Sequence, residues 1–176
     1  MTACVCGFDA DDGARAPARL LRSFSLAYRS LISVVEADLG RDGLRIRPAP
    51  DVWGVLEYAA HTRDAVGWYD ERIRLVLAGD RPRLSPFDWD AACEERRYVD
   101  EDPDDVARAL GGALSTLADH LDDLDDRSWM AIGIGSDGTE RRVVDLAGRA
   151  AHEGQHHLHD TGRIWRILGN RDRPRS

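Results

Sequence analysis

A chain of 176 residues with 43% hydrophobic and 32% charged residues reads as one soluble globular domain, long enough to bury a core. No apolar run approaches the ~20 residues of a bilayer span, so no membrane is expected, and a net charge of −8 argues against nucleic acid as a partner. The opening residues, Met1 to Gly13, lack a basic-then-apolar signal sequence, so the expectation is a cytoplasmic protein with a mobile leader over 1–14, a domain over 15–170 and a tail over 171–176.

The first helical segment is expected from about Pro17 to Leu39, with Leu20, Phe24, Ala27, Leu31 and Val35 on one face and Gly40 as its stop. A second, from about Val52 to Ala78, carries Val52, Val55, Ala59, Val66, Tyr69, Ile73 and Val76 on an alternating three-four spacing interrupted only by Thr62. Some two dozen residues, Gly79 to Glu101, then separate it from a third segment, which Asp102 caps and Pro103 opens. The third seam is Val106, Leu110, Ala113, Leu117, Leu121 and Leu124, with Gly111-Gly112 marking either a close approach or a kink. Ser136-Asp137-Gly138 between two short β-like runs predicts a small hairpin within Trp129 to Val144. The fourth segment is expected from a cap at Asp145 to Leu168, with Gly169 as its stop. The long connection between segments two and three can run the length of a bundle, so the expected fold is all-α: a four-helix bundle with one crossover and helices two and three parallel.

Three cysteines, Cys4, Cys6 and Cys93, argue against a disulfide framework. Cys4-Val-Cys6 has the chemistry for a soft metal, but no second cysteine pair matches it, and incidental reduced thiols are expected. All 24 basic residues are arginine, which excludes lysine Schiff-base chemistry.

Four of the six histidines fall in His152-Glu153-Gly154-Gln155-His156-His157-Leu158-His159. His152 and His156 are about 40° apart on a helix, close enough for both imidazoles to reach one metal, whereas His157 is expected to point away. HExxH is the spelling of zinc proteases, but position 162 is Gly162 and no glutamate follows Glu153, so the third ligand of that class is missing. A di-iron site needs a second ExxH, and Glu57 to His61 is one residue too long. The remaining ligand is then sought on another helix. His120 sits on a charged stretch; His61 lies mid-helix in a segment that reads as packed, and is the better candidate.

With these residues in view, the chain resembles the DinB-like superfamily of bacterial four-helix bundles. The resemblance rests on Trp53-Gly-Val-Leu-Glu-Tyr-Ala-Ala-His61-Thr-Arg-Asp64, on Ala151-His152-Glu-Gly-Gln-His156-His157, and on the interval of 91 positions from His61 to His152. It implies an up-down-down-up bundle with zinc or nickel held by His61, His152 and His156. Several relatives are thiol-dependent transferases or isomerases, and an arginine-only basic set suggests an actinobacterial source, for which mycothiol is the thiol. The expected function is therefore a metal-dependent enzyme on a small-molecule substrate, a mycothiol-dependent S-transferase. A non-catalytic metal-binding stress protein and a metal-dependent hydrolase or biosynthetic enzyme are the alternatives. Glu153 is the candidate base and Arg149 the candidate for a substrate carboxylate. Asp64 and Asp160 are either ligand-orienting acceptors or surface ion pairs. Ile164 and Trp165 near one end suggest a homodimer.

Overall fold

In the computed structural model, which describes residues 4–8, 16–86 and 88–171, Pro17 at the first helical position opens α1 (Pro17–Gly43). Gly40, at φ 74° and ψ 169°, interrupts it at the expected stop, and one further turn follows. α2 (Val55–Ala78) begins later than Val52, because Gly54 is its cap and the Glu57 carboxylate accepts from the Gly54 N–H at 2.9 Å. The connection after α2 is not plain coil. It contains a short helix, α3 (Trp89–Arg96), and a 3₁₀ turn over Tyr98–Asp100. α4 (Pro103–Asp122) is capped by Asp102, whose carboxylate accepts from the N–H groups of Asp104 and Asp105. A single-turn helix, α5 (Asp126–Trp129), leads into the expected hairpin. Its strands, β1 (Ile132–Ile134) and β2 (Glu140–Arg142), are antiparallel with Gly133 opposite Arg141. α6 (Val143–Arg171) starts before the expected Asp145 cap, and that carboxylate folds back to accept from the Arg142 N–H at 3.1 Å. Gly169 does not stop it. The basic stretch from Arg163 to Arg171 is therefore helical, and the rest of the expected tail, like residues 1–3 and 9–14 of the expected leader and residue 15 of the expected domain, lies outside the described residues.

The long helices form an up-down-down-up four-helix bundle. α1 packs on α4 and α6, and α2 packs on the same two, so α1 and α2 face each other diagonally across the core. The expected seam of α2 is buried throughout, Thr62 included, apart from Val52, which precedes the helix. The expected face of α1 is off by one position. Leu21, Phe24, Tyr28, Ile32 and Val35 are buried, while Leu20 and Leu31 pack only partly. Ile164 is fully buried in the chain's own core, and the indole of Trp165, partly buried, donates to Asp38 at 2.8 Å.

Three helices are tied at one point. The Tyr28 hydroxyl, which burial pushes well above the usual tyrosine range, donates to the Gly154 carbonyl and lies 3.1 Å from the Thr62 hydroxyl. Directly beside it, a Cβ on Gly154 would meet Phe24 Cδ2 at 2.7 Å, so α6 approaches α1 this closely only with glycine there. Gly154→Ala is expected to lose about 1 kcal/mol net, an overpacking cost of about 1–3 kcal/mol exceeding alanine's helical advantage of about 1 kcal/mol. Gly148 has no such neighbour, so Gly148→Ala is expected to stabilise by up to about 1 kcal/mol, and urea unfolding of both variants checks the opposite signs. Of the Gly111-Gly112 pair, Gly111 makes a modest close approach, to Ser25, and Gly112 none.

Candidate metal centre

The seam of α6 runs through Val143, Ala147, Ala150, Gly154, Thr161, Ile164 and Leu168, all buried. At about 100° per residue, this phase turns Glu153 and His157 toward the interior flank that meets α2, and carries His152 and His156 to the far flank. That rotation divides the histidines between two clusters. His61, 4% exposed on α2, converges with Glu153 and His157, the three offering ligand atoms within 4.8 Å of one another. His152 and His156 converge instead with Cys4 and Cys6, also within 4.8 Å. The set expected from the sequence, His61 with His152 and His156, is not brought together, and His157 points inward.

In the first cluster, Glu153 Oε2 lies 3.7 Å from His61 Nε2 and 3.1 Å from His157 Nε2. The other His157 nitrogen, Nδ1, is 3.3 Å from Asp160 Oδ2. Burial alone would raise the Glu153 carboxyl, but its contacts with His157 and His61 hold it far below the usual carboxylate range. Burial likewise opposes charge on His157, and Asp160 and Glu153 outweigh it, so this imidazole is pushed up. Aromatic rings enclose the pair. Trp53 and Trp89 each sit 5.1 Å from the His61 ring, and Tyr58 stacks on His157 at 5.2 Å. Trp89 comes from α3, so the crossover supplies part of the wall.

Asp160 faces a histidine, its Oδ2 accepting from His157 Nδ1. Asp64 is ion-paired instead, in a largely buried network rather than at the surface. It accepts from Arg63 (2.8 Å), Arg96 (2.5 Å) and Tyr98 (2.6 Å), and none of its bonds goes to a histidine. His120 is also remote in function, its Nδ1 2.6 Å from Asp70 in a link between α4 and α2. Arg149 is exposed, one turn before Glu153. It lies near Tyr69, whose hydroxyl burial and the Glu153 charge push up to about 12 while the guanidinium pulls it down. An open concavity of 550 Å³ by the hairpin, lined by Val76, Arg81 and Met130 among others, includes no residue of either cluster.

The Asp64 network yields a pH-dependent expectation. Burial raises that carboxyl, Arg63 and Tyr98 overcome the effect, and the net pKa is lowered on folding. A lowered folded pKa stabilises above the unfolded value of about 3.9, and the benefit is lost as pH falls through the folded one. Asp64→Asn is thus expected to cost about 2 kcal/mol at neutral pH and progressively less below about pH 4. Urea midpoints of both proteins at neutral pH and about pH 3 measure it; a constant difference would contradict the assignment.

The molecule is an up-down-down-up bundle with a histidine–carboxylate cluster between its second and last long helices. The chain belongs to the DinB superfamily, whose sequence profile matches residues 24–160. A solved structure of YfiT from Bacillus subtilis shares the fold at a TM-score of 0.79 and 17% identity, covering 89% of this chain and 87% of that one. YfiT is described as a probable metal-dependent hydrolase with an unusual four-helix bundle topology. No curated protein matches the sequence.

Proposed function

We propose that His61, Glu153 and His157 hold one divalent metal, and that the protein is a metal-dependent enzyme joining a low-molecular-weight thiol such as mycothiol to a small electrophile. The observation that carries the metal is the convergence of two imidazoles and a carboxylate within 4.8 Å inside an aromatic enclosure. Two histidines and a glutamate are a donor set that zinc uses in catalytic sites, and imidazole suits nickel equally. Such a metal supplies, at neutral pH, a thiolate or hydroxide from a group that is otherwise protonated.

The chain's own residues do the positioning. Asp160 can only accept, so it keeps the His157 proton on Nδ1 and leaves Nε2 facing Glu153. Trp53 and Trp89 fix the His61 ring and keep water from it. Glu153, expected as a base, serves as a ligand in this arrangement. Arg149, on the same flank one turn earlier, is placed to meet an anionic group of the substrate. In the transfer, the thiol proton leaves to solvent, the sulfur electron pair forms the new carbon–sulfur bond, and the displaced pair departs with the leaving group.

The choice of thiol transfer rests on the family's thiol-dependent members, and the description of YfiT makes hydrolysis the second reading. Metal-loaded protein incubated with mycothiol and a panel of electrophiles is expected to yield conjugates, seen by mass spectrometry, that require metal and vanish in His61→Ala. Product formed without thiol would assign hydrolysis. No product from protein that retains its metal would contradict the enzyme reading and leave a binding protein.

A further inference from the structure

We propose that Cys4, Cys6, His152 and His156 form a second, separate metal site: a closed Cys2His2 centre for zinc that clamps residues 4–8 onto α6. None of the four belongs to the His61 cluster, so the proposal does not depend on the function above. Nothing local in the sequence couples the two halves, which lie about 150 positions apart; the fold brings them together.

The four ligand atoms already stand at close quarters. Cys4 Sγ lies 3.2 Å from His156 Nδ1, and all four ligand atoms are within 4.8 Å of one another. Tetrahedral zinc with bonds of about 2.0–2.3 Å would set them about 3.4–3.8 Å apart, a contraction that side-chain rotation can supply. Each partner is held for the task. His152 and His156 are four apart on one helical flank, their ring centroids separated by 5.4 Å. His156 Nδ1 is the nitrogen that faces Cys4 Sγ, and its Nε2 stands 3.4 Å from Asp160 Oδ2. His152 Nε2 is buried with no hydrogen-bond partner among the described residues, an expensive state for an imidazole that a metal bond would relieve.

The cysteine segment is docked by contacts of its own. Gly7 at φ +72° closes a turn with its N–H on the Cys4 carbonyl at 3.0 Å, which brings both thiols to one side. Gln155 Nε2 donates to the Cys6 carbonyl at 3.0 Å, and Phe8 packs on the His152 ring at 5.0 Å. Cys-x-Cys is one residue shorter than the usual spacing in zinc modules, and the helical His-x3-His half is ordinary. Two thiolates balance the ion's charge, and four protein ligands leave no open position. The centre is therefore structural.

Full-length reduced protein without a metal-binding tag, loaded with cobalt(II) in place of zinc, tests the site. A thiolate-to-cobalt charge-transfer band with tetrahedral visible absorption is expected, lost in Cys4→Ser/Cys6→Ser and kept in His61→Ala. Zinc stoichiometry should fall by one equivalent in Cys4→Ser/Cys6→Ser. Zinc should also slow alkylation of Cys4 and Cys6 in the wild type at least about tenfold, a measurement independent of any variant's folding. A wild type with no thiolate band, a band that survives the double serine substitution, or a band abolished by His61→Ala would each overturn a separate Cys2His2 centre.

Discussion

His157→Ala is expected to weaken the metal bound with His61 by more than about 100-fold and to abolish metal-dependent turnover. Losing a group that merely orients a ligand costs about 10–100-fold in affinity, and losing the ligand itself costs at least the upper end of that range. Competition against a chromophoric chelator measures it, in a Cys4→Ser/Cys6→Ser background so that only this site is counted. In the same background His152→Ala is expected to bind like its parent, because that ring belongs to the other cluster. The reverse ranking would restore the ligand set read from the sequence.

The largest stability effect is expected away from the metal, at Arg47→Ala. Glu57 is 1% exposed, and its carboxylate accepts from Arg47 Nε at 2.8 Å and Nη2 at 2.5 Å as well as from the Gly54 N–H. Removing the arginine strands a buried carboxylate, for about 3 kcal/mol. In a chain of this size that lowers the melting temperature by roughly 6–12 °C. Glu57→Gln in the Arg47→Ala background is expected to recover part of the loss, since a neutral amide still accepts from Gly54. Calorimetry of the single and double variants checks both. An unchanged melting temperature for Arg47→Ala would show that solvent replaces the half-exposed guanidinium.

What the sequence made legible depended on how sharply each helix marks its own phase. The α2 seam, Val55 through Val76, is sparse and regular, so one rotation fits it, and His61 followed as a buried mid-helix residue. α1 carries adjacent apolar pairs, Leu20-Leu21 and Leu31-Ile32, which allow two rotations; Tyr28 and its bond to Gly154 select the second. The same ambiguity governed the site. His152-x3-His156 and Glu153-x3-His157 have identical spacing, and two histidines are the more conspicuous pair. The deciding signal lay in the small residues around them, Ala147, Ala150 and Gly154, whose seam with Ile164 and Leu168 turns His157 inward. The docking of Cys4 and Cys6 on α6 had no such signal, because contacts between distant segments leave no periodicity in either one.

The arrangement of His61, Glu153 and His157 around one metal is tested most directly by a crystal structure of metal-loaded protein, with anomalous scattering recorded at the metal's absorption edge. A peak within about 2.0–2.2 Å of His61 Nε2, a Glu153 carboxylate oxygen and His157 Nε2 is the predicted result. A peak bridging His61 to His152 and His156, or none near His61 at full metal loading, would contradict it.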